Sequence, residues 1–134
     1  MSLNPKTAVL ARNACLDGFT AHMGASSVIR WYDSTQPTDA DTALGAQVLI
    51  VTLACSATMA PASSGGVLTL NAITGANAVA LGNPVTWGSL LTSGFVRKLD
   101  FSIGTSAANL NLNSTTVGSG AACAMSAATI TMAA

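Results

Sequence analysis

The charged residues of this chain are confined to two short stretches, and that confinement limits what it can fold into. From Thr42 to Val96 there is no Asp, Glu, Lys or Arg, and none follows Asp100. All five acidic and five basic side chains lie in the first 41 residues or in the run Arg97, Lys98, Asp100, and every acid is Asp. Charged residues make up 7% of the sequence and cancel to a formal net charge of zero, against about 25% in an ordinary soluble domain. Net charge near zero favours association. A surface of Ser, Thr, Asn and Ala also packs against protein without desolvating ions. The expected setting is a subunit of a larger assembly, a homodimer or homotrimer, without a catalytic constellation.

Several classes are set aside by pattern. Hydrophobic residues reach 50%, enough for a core rather than a disordered chain. Mean hydropathy is positive, +0.52, but the densest apolar run, Val48 to Cys55, is far shorter than the ~20 residues of a spanning helix, so no membrane is expected. No basic segment followed by an apolar stretch and a cleavage site opens the sequence, so no signal peptide is expected. Five basic residues without a cluster beyond Arg97-Lys98 exclude nucleic acid as a partner.

Periodicity divides the chain. Asn4-Pro5 is a helix-start signal, Val9, Leu16, Phe19 and Met23 follow at near-helical spacing, and Gly24 is a stop. An amphipathic helix is predicted from Pro5 to about His22. The period then becomes two. Strands are expected at Val28 to Asp33, Ala46 to Cys55, Val67 to Ala72, Val85 to Leu91, a run with Leu99, Phe101 and Ile103 facing in, Asn109 to Asn113 with an outer amide ladder, and Thr129 to Met132. Thr92-Ser93-Gly94 marks a hairpin. Turns are expected at Ser34 to Pro37 and at Gly82-Asn83-Pro84, a polar acidic loop at Thr38 to Leu44, and another loop at Pro61 to Gly66. About seven or eight short strands punctuated by Gly, Ser and Pro, preceded by one N-terminal helix, predict an all-β sandwich or barrel. The chain reads as a single domain, residues 1–24 an arm and helix and 25–134 a β-sandwich.

No site chemistry assembles from these residues. His22, the single histidine, sits at a helix end and has no nucleophile to activate. Asp39 and Asp41 are close in sequence, but no Glu is available as a general acid. Gly65-Gly66 lacks the Lys and helix of a phosphate loop. Asp33, Asp39 and Asp41 alternate along a loop as calcium ligands do; the simpler reading is a solvated loop, and no metal or cofactor is assigned. Trp31, Tyr32 and Trp87 are candidate stacking platforms for sugars or core residues, with Tyr32, opposite in face to Trp31, a candidate interface residue. Arg97-Lys98 reads as an exposed, solubilising hairpin or a contact for an acidic partner. Cys15, Cys55 and Cys123 read as small buried hydrophobes, with one disulfide plus a free thiol as the alternative. Asn113-Ser114-Thr115 matches a glycosylation acceptor that matters only in a secreted chain.

The run Tyr32-Asp33-Ser34-Thr35-Gln36-Pro37-Thr38-Asp39-Ala40-Asp41-Thr42-Ala43-Leu44, continued by Val48 to Thr58, resembles a segment of small structural proteins of tailed bacteriophages and prophages. Gly104-Thr105-Ser106-Ala107-Ala108-Asn109-Leu110-Asn111-Leu112-Asn113-Ser114-Thr115-Thr116 is similar to a later segment of the same family, and Ala11 to Asp17 to its opening. The chain departs at Ser34, where the family pattern has Gly, and at Asn109, where it has Asp. The resemblance implies a jelly-roll-like β-sandwich, a head decoration or cement subunit on the outer surface of the virion, and the major capsid protein as partner. It brings no catalytic residues. The alternative is a tail-tip or fibre-associated module binding a host glycan. Met1 to Pro5 are expected to act as an arm on a neighbouring subunit.

Overall fold

A computed structural model describes residues 6–79 and 84–133. The protein is mostly β with one helix, and its main sheet is curled and mixed, the wall of a half-barrel. The elements are α1 (Val9–Met23), β1 (Val28–Tyr32), β2 (Leu49–Ala54), β3 (Val67–Thr69), β4 (Ala76–Asn77), β5 (Trp87–Leu91), β6 (Arg97–Gly104), β7 (Leu110–Asn111), β8 (Ala122–Cys123) and β9 (Thr129–Thr131).

The helix ends where the glycine signal places it. Gly24 has φ of 70°, and its N–H donates to the Thr20 carbonyl at 3.3 Å. It begins later than predicted, after Ala8, which supplies no side-chain cap; the Asn4-Pro5 signal and the Met1 to Pro5 arm lie outside the described residues. Leu16 and Met23 are buried, whereas Val9 is 43% exposed. The front half docks through polar groups instead. Asn13 Oδ1 accepts the Gly66 N–H at 2.9 Å, the Ser63 hydroxyl donates to the Asn13 carbonyl, and Asp17 Oδ1 accepts the Ser63 N–H at 2.7 Å. Arg12 donates to the Met132 carbonyl at 3.2 Å. A loop that turns through Gly65 and Gly66 at positive φ leaves backbone donors that need partners, and the helix supplies them.

The bonds from Ser63, its backbone N–H first, hold the Asp17 carboxyl below its ordinary range. A depressed folded value means that this contribution is complete above the unfolded value near ~4 and disappears as pH falls through the folded value. Melting temperature should therefore drop on acidification below about pH 4. Asp17→Asn, which keeps an acceptor for Ser63 but does not titrate, should make that drop shallower in a pH series of thermal melts.

The main sheet runs β2-β1-β5-β6-β7, antiparallel except for the parallel β6–β7 pair. Register puts Ile29, Leu53, Leu90 and Leu99 in one row, and Trp31, Val51, Gly88 and Phe101 in the next. These rows form the core face, closed by Leu16, Met23, Met59, Leu68 and Leu70. Gly88 is what lets the second row close. A Cβ there would lie 2.7 Å from Phe101 Cζ and 3.1 Å from the Arg30 carbonyl. Gly88→Ala should cost about 1–3 kcal/mol, a fall in melting temperature of roughly 3–12 °C. Shortening the ring in Gly88→Ala/Phe101→Leu should return part of it, a coupling that a double-mutant cycle reads directly.

The hairpin at Thr92 is present, with the Thr92 N–H donating to the Val96 carbonyl at 3.0 Å. Other predicted strands are trimmed. The strand expected from Ala46 starts at Leu49 because Asp33 takes the Val48 N–H. The five-residue strand at Asn109 shrinks to Leu110–Asn111, and its amides are not an outer ladder. Asn109 Oδ1 accepts the Ser102 N–H at 3.0 Å and the Ser102 hydroxyl, and Asn111 Oδ1 accepts the Ala108 N–H. They tie the crossover between β6 and β7. Of the turn expected at Gly82-Asn83-Pro84, the first two residues lie outside the described residues, and Pro84 bridges to Thr116.

Beyond the main sheet, β3 pairs with β9 and β4 with β8. The segment leading through β4 covers the free side of β2: the Thr74 N–H donates to the Ala54 carbonyl and the Val79 N–H to the Ile50 carbonyl, both at 2.8 Å. At the open side of the half-barrel, β6, β7 and residues 125–131 bound a cavity of about 380 Å³. All three cysteines are free; Cys55 and Cys123 are buried, but Cys15 is exposed on the outer side of α1, contrary to expectation. Burial pushes the Cys55 and Cys123 thiols up.

Candidate interaction face

The second face of the main sheet is where the unusual residues gather. Period-two geometry puts Arg30 and Tyr32 on the side opposite Ile29 and Trp31. Register then aligns Arg30 with Ser89 and Asp100, and Tyr32 with Trp87. The Tyr32 and Trp87 rings stack with centroids 4.5 Å apart and planes 17° from parallel. Trp87 Nε1–H donates to the Asp33 carbonyl at 3.0 Å. The Arg97 guanidinium lies 5.5 Å from the Trp87 ring, pairs with Asp100 at 2.7 Å and donates to the Thr42 carbonyl.

That last bond shows why this face is closed. Residues 33–48, most of them exposed, pass over it and are pinned at a few points. Asp33 Oδ1 accepts the Val48 N–H at 2.6 Å and the Ser34 hydroxyl at 3.1 Å. Asp39 Oδ1 accepts the Asp41 N–H, the Thr42 N–H and the Thr42 hydroxyl, and the Thr42 bonds hold its carboxyl below the usual range. Gln47 donates to the Thr35 carbonyl and accepts from the Gly45 N–H, both at 2.7 Å. Ser34 sits at φ 62°, a conformation glycine adopts without strain.

The tryptophans take the core reading and His22 the surface one, whereas Tyr32 and Arg97 depart from expectation. Trp31, Tyr32 and Trp87 are each 2% exposed or less, so none is a stacking platform, and Tyr32 is not the surface contact expected of it. Asp33 and Asp39 serve as local acceptors, and Asp41 gives its backbone N–H to Asp39; among the described residues no three His, Cys, Asp or Glu side chains come together around a common point. His22 is exposed in the last turn of α1. Arg97 is not part of a solubilising hairpin: its side chain is 7% exposed and that of Asp100 4%. Lys98 is half-buried. Gly65-Gly66 receives the helix, and Asn113 is exposed.

Sequence reasoning missed Arg30, Leu44 and Phe95. With Tyr32, Asp41 and Arg97 they line a cavity of about 310 Å³ between the sheet and the 40–44 segment. The Arg30 guanidinium carbon is 4.0 Å from the centroid of the Phe95 ring. Phe95 occupies the hairpin tip at φ 62° and is 53% exposed, as is Val96, with Leu44 at 43%. The available signal was the alternation of β1, which puts Arg30 on the face of Tyr32. No protein-family pattern, curated protein or solved structure matches the chain.

Proposed function

We propose that this protein is a virion structural subunit, a capsid decoration or cement protein that binds the outer head surface of a tailed phage and stabilises the junctions between capsomers. The observation that carries the reading is the fate of the charges. Arg97, Asp100 and Asp33 are withdrawn into the fold, so a chain already poor in ions presents even fewer to its surroundings. Leu10, Leu44, Val79, Phe95 and Val96 stand exposed in their place. Such a surface gains on contact with protein, at ~25 cal/mol per Å² of apolar area before association costs. A modest contact repeated over a lattice resists the separation of neighbouring capsomers under internal pressure.

In this reading the curled sheet and the two ribbons are the layers of a jelly-roll-type sandwich. The subunit acts as a homodimer or homotrimer at local symmetry axes, and the major capsid protein is its partner. The tail-tip alternative rests on Trp31, Tyr32 or Trp87 as exposed platforms for sugar, and these three lie inside. Enzymatic chemistry is not part of the proposal.

The test is sedimentation of the purified protein with expanded heads assembled from the major capsid protein of the virus that encodes it, followed by imaging. Binding at every equivalent lattice position is the expected result. Protein that stays in the supernatant, or decorates tails alone, overturns the proposal. Light scattering of the free protein should give a dimer or trimer mass.

A further inference from the structure

We infer that the cavity between the main sheet and the 40–44 segment is a binding site for a carboxylate carried on an apolar body, with Arg30 and Tyr32 as its hydrogen-bond donors. Buried donors are nearly always paired, and here two on neighbouring same-face positions of β1 are not. The Tyr32 hydroxyl is buried, in a residue 2% exposed, and among the described residues it has no hydrogen-bond partner; Arg30 Nε is buried and likewise lacks one there. Arg30 forms no ion pair among the described residues. Its guanidinium lies against the Phe95 ring, a contact with the face of the cation that uses none of its N–H donors. Both residues line the same cavity of about 310 Å³, near the lower end of the range for small-molecule sites. Two positions apart on one strand face, their Cα atoms are about 7 Å apart, and both side chains leave the sheet on the side of this cavity.

The remaining lining selects the ligand class. Arg97 also lines the cavity, but it is engaged by Asp100 and the Thr42 carbonyl. Arg30 is therefore the one lining cation not already engaged, and the exposed Asp41 also lines the cavity. Asp41 opposes any anion, and a doubly charged phosphate about twice as strongly as a monoanion. Leu44, Leu91, Ala40, Ala43 and Phe95 supply the apolar walls. The inference does not depend on the capsid reading. The carboxylate belongs either to a free organic acid or to an acidic side chain in an apolar stretch of a partner protein.

The experiment is a nitrogen-15 NMR titration of the full chain with 3-phenylpropionate, its amide, inorganic phosphate, and the blocked peptide acetyl-Leu-Asp-Leu-amide. The expected result is saturable shifts at residues 30–32, 40–44 and 91–97 with a carboxylate Kd on the order of 1 mM. Whichever carboxylate binds tighter identifies the source. Tyr32→Phe keeps the stack on Trp87 and removes an unpaired hydroxyl, so the fold should be at least as stable while binding weakens roughly tenfold. Arg30→Gln should weaken it by a comparable factor or more, and Asp41→Asn should tighten it. No shift with either carboxylate, equal binding of the amide, equal binding of phosphate, or unchanged affinity in the Tyr32→Phe and Arg30→Gln variants would each overturn the inference.

Discussion

Arg97→Met should destabilise the fold by about 3–5 kcal/mol, because it strands a buried carboxylate. Asp100 is 4% exposed at its side chain, its Oδ2 is 2.7 Å from the guanidinium, and its Oδ1 already has no hydrogen-bond partner among the described residues. Once the arginine is gone, that carboxylate is left buried without its partner. The Thr42 carbonyl also loses its donor, so the 33–48 cover loosens with it. Domains of this size have total stabilities of about 5–15 kcal/mol, and the variant should lie close to the unfolding limit in urea titrations at 25 °C. Arg97→Met/Asp100→Leu should be the more stable of the two, within about 2 kcal/mol of the unmodified protein, since an apolar pair replaces the ion pair without leaving a lone charge. A double variant as unstable as the single would show that the Thr42 bond, not the ion pair, carries the effect.

Trp87→Ala should cost a similar amount, about 3–5 kcal/mol. The side chain is 0% exposed, so its removal leaves a void with walls that cannot fully collapse. The Tyr32 ring loses its stacking partner at 4.5 Å, and the Asp33 carbonyl loses the indole donor. Trp87→Phe keeps a ring for the stack but not the indole N–H, and should cost less than half as much. Urea melts read both values. The near-ultraviolet dichroism of the stacked pair should vanish in Trp87→Ala even where the backbone signal is retained.

Local signals were legible and long-range polar ones were not. Alternation found β1, β5 and β6 and set Leu99, Phe101 and Ile103 on the inner face. Gly24 marked the helix end, and Thr92 to Gly94 the hairpin. The front of α1 was misread because its anchoring residues, Arg12, Asn13 and Asp17, are polar, and apolar spacing says nothing of a face that docks by hydrogen bonds to Ser63, Gly66 and Met132. The Thr38 to Leu44 loop read as solvated, and most of it is exposed; what its sequence did not show is how the 33–48 segment is pinned. Its closure depends on Asp33 meeting Val48, and Arg97 reaching Thr42 from 55 positions away, contacts with no local period. The candidate site was half legible: Tyr32 and Trp87 stood out by type, whereas Arg30 and Phe95 acquire meaning only when the sheet aligns their strands.

The boundaries of the main sheet have a bearing on solubility. On one flank, β2 is screened by the segment through Thr74 and Val79; on the other, β7 offers just Leu110 and Asn111. A ladder two residues long gives an incoming strand almost nothing to template on. In most soluble β proteins repulsion between like charges helps prevent runaway fibre growth, and this chain has little of it. Topology supplies the protection instead. Any contact between copies at the main sheet is thereby directed to its faces, where it can close into finite, symmetric clusters rather than propagate along hydrogen-bonded edges.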